Sequence, residues 1–374
     1  MKVLIIASWY PTSDQPLNGI FFQQKARALA RCGCDVTVAV ADVRLRLNGR
    51  KTGITVSRKE GITEYYGLYR NLTPFWEEGI AIQQIFIINK IYKQICKNNG
   101  KPDVIHLESA RCAYAAVNLA KKENIPLTYT EHYSGILNSK SGTFLDRTMK
   151  CAVNAADHVF FISTAMKNRL NPPVNKSSYL PNGVDFSKFH IEKPETQFTF
   201  GAMGGLRKIK GYDILLRAFS RVHELYPDCK LVIGGEGSEK ENLLLLQKEL
   251  YLNDCVHFCG KIDVNNKAAF FADKSAFICS SLTETFSIVL VEAFASGIPV
   301  VATKCGGPED LVNDSNGYLV EKDNVLSLAN GMIDMIKNRE KFSSDKIRCD
   351  ANEKYGDMSV AQNQVAKFEL LISN

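Results

Sequence analysis

Glu284-Thr285-Phe286-Ser287-Ile288-Val289-Leu290-Val291-Glu292, continued by Ala293-Phe294-Ala295-Ser296-Gly297-Ile298-Pro299-Val300-Val301, decides how the chain is read. Two carboxylates bracket a Thr- and Ser-bearing apolar run that reads as a loop entering a helix. Gly297 closes that helix before a buried strand opens at Pro299. The N–H groups of a first helical turn around Phe286 to Ile288 have no intrahelical acceptor, so they suit a phosphate. Glu284 on the loop and Glu292 one turn into the helix can accept hydrogen bonds from sugar hydroxyls. Taken alone, paired glutamates at this spacing are also the pattern of solvated helix charges, and the surrounding sequence has to decide.

Outward from this stretch, short apolar runs alternate with helical patterns, which argues for parallel sheets built from βαβ units. In the first half the strand candidates are Val3–Ala7, Asp35–Val40, Val104–Leu107, Leu127–Thr130 and His158–Ile162, with helices over Phe21–Arg31 and Ile80–Lys97. In the second half they are Phe198–Met203, Lys230–Gly234, Val256–Cys259, Ala276–Cys279 and Pro299–Ala302. Two domains are expected, 1–184 and 185–357, with the linker near Leu180 to Asp185 and the Pro-bearing segment Ile191 to Thr196. A helix over 358–374, apolar at Val360, Val365, Phe368 and Leu371, is expected to pack back on the first domain.

At 374 residues, 45% hydrophobic and 23% charged, the chain has the composition of a globular protein with more than one core. Its apolar N-terminus is too short for a secretory core and reads as a first buried strand. The longest apolar candidate, Ile80 to Ile95, is interrupted by Gln83, Gln84, Asn89, Lys90, Lys93 and Gln94, so no membrane span is expected. The 11 cysteines are odd in number and lack metal-ligand spacing, which predicts reduced structural thiols and a cytoplasmic location. The net charge of +6 hides a split, with 24 Lys and Arg against 13 Asp and Glu over 1–184 and 22 against 27 over 185–374. A basic first half predicts contact with an anionic surface, with a membrane preferred, while the alternative is a solvated basic face. Nucleic acid is not expected, since no basic tract is interleaved with aromatics.

Two glycine-bearing loops extend the phosphate argument. Gly19 stands before a helix starting at Ile20, where a residue without Cβ lets backbone approach a pyrophosphate. Gly204-Gly205-Leu206-Arg207-Lys208-Ile209-Lys210-Gly211 follows a strand and carries three cations suited to a diphosphate. Tyr129-Thr130-Glu131-His132-Tyr133-Ser134-Gly135 places His132 at a strand end, where open α/β sheets hold ligands.

In this order, Gly19, Asp103-Val104-Ile105-His106, Pro181-Asn182-Gly183-Val184-Asp185, Lys210-Gly211, Gly234-Gly235-Glu236-Gly237, Glu284 with Glu292, and Gly306-Gly307 resemble the family 4 glycosyltransferases of the GT-B fold. That resemblance implies an α/β architecture of two Rossmann-like domains facing across a cleft. It also implies a retaining hexosyltransferase that uses a nucleotide-sugar donor and a glycan or lipid-linked glycan acceptor, with no cofactor and no metal. By resemblance Glu292 binds the donor ribose and Glu284 the transferred sugar. The backbone of Thr285, Phe286, Ser287 and Ile288 cradles phosphate, and Lys210 stabilises the departing diphosphate. The main chain at Gly260-Lys261-Ile262 reads the base, and His132 contacts the donor sugar. Where many members have arginine this chain has Gly205, with Arg207 nearest, and Glu108 stands where a family His-x-His element has its second histidine. A GT-B-like sugar-nucleotide epimerase and a non-catalytic donor- or glycan-binding partner subunit remain as alternatives. Helix 79–97, with Lys90, Lys93 and Lys97, is read either as a helix lying on a membrane or as an ordinary domain helix packing Ile85, Ile88 and Ile95 inward.

Overall fold

Val3 to Ala7 are all buried, as a strand covered on both faces must be, and this run forms the middle of a parallel sheet. A computed structural model describes residues 1–12, 15–16, 18–47, 49–192 and 197–373. Part of the Pro11 to Asn18 loop and of the Ile191 to Thr196 segment therefore lies outside the described residues. The chain divides into two compact units, Met1–Gly183 with Asp357–Asn374, and Val184–Gly356.

The first unit holds eight strands: β1 (Lys2–Ala7), β2 (Asp35–Arg44), β3 (Gly53–Lys59), β4 (Ile62–Arg70), β5 (Val104–Glu108), β6 (Leu127–Thr130), β7 (His158–Phe161) and β8 (Ser177–Tyr179). Their order is β3-β4-β2-β1-β5-β6-β7-β8, parallel except for the antiparallel β3–β4 hairpin. That hairpin is absent from the sequence reading, which names no strand between Asp35–Val40 and Val104–Leu107. The hairpin's outer strand β3 is polar and largely exposed, which hides the pattern of a half-buried strand. The Asp357–Ile372 helix packs on the Ile20–Arg31 helix and contributes Val360, Ala361 and Phe368 to the core around Val3, Ile5 and Phe22. Arg31 and Asp357 form an ion pair between these helices.

The second unit holds six parallel strands: β9 (Thr199–Met203), β10 (Lys230–Gly234), β11 (Val256–Gly260), β12 (Ala276–Cys279), β13 (Val300–Thr303) and β14 (Gly317–Val320), in the order β11-β10-β9-β12-β13-β14. The short strands β8 and β14 are missing from the sequence reading. Each sheet has a point where the strand order reverses, between β1 and β5 in the first unit and between β9 and β12 in the second. Ligands of open α/β sheets sit beyond the strand C-termini at such points.

Candidate functional site

In the second unit, the loops leaving the reversal point are 204–211 after β9 and 280–287 after β12. They are stitched together: Leu282 N–H donates to the Ile209 carbonyl at 2.8 Å and the Ser280 hydroxyl to the Lys210 carbonyl at 2.9 Å. This brings Lys210 Nζ to 2.5 Å from Glu284 Oε1, which also accepts from Ser281 Oγ at 2.9 Å. Burial disfavours the Lys210 ammonium, but the Glu284 carboxylate outweighs it and holds the Lys210 pKa above its ordinary value. Arg207 is exposed, and its Nε lies 3.4 Å from the position a Cβ on Gly205 would take. The arm of Arg207 therefore lies beside the residue where the family arginine is missing.

A third loop fixes the turn into the Ile288–Ala295 helix. Glu284 N–H donates to the Cys305 carbonyl at 3.0 Å and Gly307 N–H to the Glu284 carbonyl at 2.9 Å. Gly307 has to be glycine, since a Cβ there would lie 2.4 Å from Phe286 Cα. Ser287, buried at the helix start, has φ of +81°, a conformation that costs a non-glycine residue roughly 1–3 kcal/mol and persists only where its surroundings over-determine it. Phe286 packs its ring edge-on against Tyr355, so only its backbone is offered to a ligand. With Thr285 before the turn and Ile288 opening the helix, the first N–H groups point out of the helix N-terminus, as a phosphate requires.

Glu292, 6% exposed, sits one turn into that helix with Oε1 at 2.5 Å from Lys267 Nζ. Its Oε2 is buried without a hydrogen-bond partner among the described residues. Burial raises the Glu292 pKa, and Lys267 offsets part of the rise. Ile262 follows β11 and covers Gly234, its Cγ1 2.8 Å from where a Cβ there would stand.

In the first unit, Gly19 caps the Ile20–Arg31 helix with φ of +73°, and a Cβ would fall 2.9 Å from the Trp9 carbonyl oxygen and 2.8 Å from its ring. Packing against Trp9 thus accounts for this glycine without a ligand. His132 follows β6, with the Phe21 and Phe22 rings at 5.1 and 5.2 Å. Its Nε2 lies 2.7 Å from Glu108 Oε2. Glu108, fully buried at the end of β5, also meets Lys25 Nζ at 2.9 Å and His106 Nε2 at 3.1 Å through Oε1. Burial alone would raise the Glu108 pKa, but Lys25, His106 and His132 together hold it well below the carboxylate range. Glu131 shapes the same loop by accepting from the N–H groups of Ala110, His132 and Tyr133 and from the Tyr129 hydroxyl.

Two families match the chain in sequence: Glycosyltransferase Family 4 over residues 19–188 and Glycosyl transferases group 1 over residues 184–349. An uncharacterized glycosyltransferase of Haemophilus influenzae is 30% identical over 347 residues, which cover 88% of this chain and 90% of that protein. The chain belongs to the group 1 and family 4 glycosyltransferases. Its fold is GT-B, shared with the sucrose-phosphate synthase of Thermosynechococcus elongatus at a TM-score of 0.79 and 18% identity, with 100% of this chain and 99% of that one covered. HepE of Anabaena, solved in complex with UDP, matches at a TM-score of 0.75 and 19% identity over 100% of both chains. The activity is glycosyl transfer from a nucleotide-sugar donor to a glycan or lipid acceptor.

In this glycosyltransferase the sequence marks Lys210, Glu284 and Glu292 but not Lys267, whose partner lies 25 residues away and is reached only through the fold. Lys25 is invisible for the same reason, and Glu108 carries no assigned role in the sequence reading. All 11 cysteines are free thiols. Among the described residues, no group of three or more His, Cys, Asp or Glu side chains could hold a metal ion.

Proposed function

We propose that the chain is a metal-independent, retaining hexosyltransferase that moves sugar from a nucleotide donor of the UDP-sugar class to a glycan or lipid-linked glycan in surface polysaccharide assembly. The observation that carries the reading is the reversal point of the second sheet. There Lys210 and Glu284 meet at 2.5 Å, beside a helix whose Glu292 keeps one buried oxygen without a partner among the described residues. A ribose hydroxyl donated to that oxygen would offset its desolvation, which gives the pocket a reason to take a nucleoside. Lys210, Arg207 and the N–H groups at Ser287 and Ile288 would meet the charge that grows on the departing diphosphate. HepE, which shares the fold, was solved with UDP, in keeping with such a donor.

The test is release of nucleoside diphosphate from UDP-glucose and other nucleotide sugars, with and without a glycan acceptor, each in the presence of EDTA. Acceptor-dependent release that survives chelation is the expected result. Release without acceptor would favour a hydrolase, and conversion of the sugar nucleotide to its epimer without net release would favour the epimerase. Loss on chelation that Mg²⁺ or Mn²⁺ restores would overturn metal independence.

The acceptor reading includes a lipid surface at the cytoplasmic face of the membrane. Among the described residues no helix is long and apolar enough to cross a membrane. The Glu77–Asn99 helix buries Ile88 and Ile95, as a domain helix does, yet Ile82, Phe86, Lys90, Lys93 and Lys97 stay exposed along one stripe of it. Leu72, Phe75 and Trp76 are exposed just before it, with Phe75 fully in solvent. Apolar side chains at one end and ammonium groups at the other suit an anionic bilayer. Replacing Lys90, Lys93 and Lys97 together by glutamine should weaken binding to vesicles containing phosphatidylglycerol and leave turnover with a soluble acceptor nearly intact. Wild-type protein that ignores such vesicles would remove the membrane from the reading.

A further inference from the structure

We propose that Glu108 is the positioning residue of His132, holding its imidazole with the proton on Nε2, and that Lys25 in turn holds Glu108. The inference rests on the transfer reaction above for its catalytic meaning, though its first readout does not.

Glu108 is 0% exposed, and a carboxylate buried to that degree is retained only with partners on its oxygens. Its two oxygens are used differently. Oε1 takes Lys25 Nζ at 2.9 Å and His106 Nε2 at 3.1 Å, whereas Oε2 faces His132 Nε2 at 2.7 Å. The ionised group can only accept, so both histidines present an N–H to it. The hydrogen-bonding partners face Glu108 from three elements: Lys25 from the Ile20–Arg31 helix, His106 from β5 and His132 from the loop after β6. Thr128 Oγ1, on β6, lies 2.8 Å from His106 Nδ1 and fixes that second ring. The Phe21 and Phe22 rings pack against the His132 ring. His132 thus has its plane, its direction and its Nε2 proton set by buried groups, as a side chain does when it must meet a substrate in one orientation.

Glu108→Gln separates this role from a merely structural one. Glutamine keeps the volume but has one oxygen and one amide NH₂. The Lys25 ammonium cannot accept, so the oxygen has to stay on the side of Lys25 and His106 and the NH₂ has to face His132 Nε2. His132 can then satisfy it only by accepting at Nε2, which moves its proton to Nδ1.

Long-range ¹H–¹⁵N spectra of ¹⁵N-histidine protein, assigned with a His132→Asn variant, read the tautomer directly. The expected result is an Nε2 proton in the wild type and an Nδ1 proton in Glu108→Gln. With UDP-glucose as the donor probe, kcat should fall at least about tenfold in Glu108→Gln while KM moves less than about threefold; in a serine hydrolase the wrong imidazole tautomer costs about 10⁴. An Nδ1 proton on wild-type His132 overturns the proposal even if the variant does not fold. An unchanged tautomer in a folded Glu108→Gln, or an unchanged kcat, overturns it as well. A wild type that makes no UDP from UDP-glucose counts against the donor reading and leaves the tautomer result standing.

Discussion

Lys210→Ala should lower kcat by about 10²–10³ while weakening donor binding far less, because loss of one preorganised donor to a developing anion typically costs about 3–4 kcal/mol of transition-state stabilisation. The structure explains why this ammonium can act without reorganising. Its loop is bonded to 280–284, its charge is kept by Glu284, and its side chain is only 21% exposed. The pair is therefore already charged and directed before a substrate binds. In the alanine variant Glu284 retains the Ser281 hydroxyl and the Cys305 and Gly307 backbone bonds, so the loop should keep its shape. Single-turnover rates and calorimetric Kd values with UDP-glucose separate the two effects. A raised KM with unchanged kcat would reduce Lys210 to a binding residue.

Glu292→Ala should weaken nucleoside diphosphate binding by roughly 10- to 150-fold, the equivalent of a charged hydrogen bond worth about 1.5–3 kcal/mol. Lys267, 25% exposed at its side chain, can turn to water when its partner is removed, so the loss should appear in affinity more than in folding. Acidity should act on the same oxygen. Burial raises the folded-state pKa of Glu292, so protonation sets in at a higher pH than for an ordinary carboxylate. The free protein gains stability from that proton at low pH and loses it as pH rises through the folded-state pKa. Binding runs the other way, because a protonated carboxyl has lost part of its power to accept from ribose hydroxyls. UDP affinity should fall on acidification more steeply in wild type than in Glu292→Gln, which shares every other titration. Parallel curves, or alanine binding as tightly as wild type, would detach Glu292 from the ribose.

The fold was legible because its central strands are continuous apolar runs and its helices end in recognisable signals. Val3–Ala7 and Gly297 before Pro299 announce themselves locally. The hairpin of β3 and β4 did not, since an edge strand with Thr55, Val56, Arg58 and Lys59 exposed lacks the alternation of a half-buried strand. At the site, Lys210, Glu284 and Glu292 were legible through their glycine-rich and apolar settings. Lys267 and Lys25 were not, because a counter-ion needs only the right place in space and no local spacing requires it. Gly19 adds a reason that the sequence did not show: the Trp9 carbonyl leaves no room for a Cβ there, whatever ligand its backbone meets.

The hydrogen bonds that join loops 204–211, 280–287 and 303–309 also set how this enzyme can change its donor. Residues that share partners do not mutate additively, so substitutions at Ser280, Ser281, Leu282 and Gly307 will each alter what the others tolerate. Selection for a new sugar would find single steps there closed and compensated pairs open. The stretch from Lys261 to Asn266 shares none of those bonds, so its residues can vary one at a time. Libraries aimed at donor preference should therefore randomise 261–266 freely, keep Lys267 for its ion pair with Glu292, and change 280–287 only in combination with 204–211.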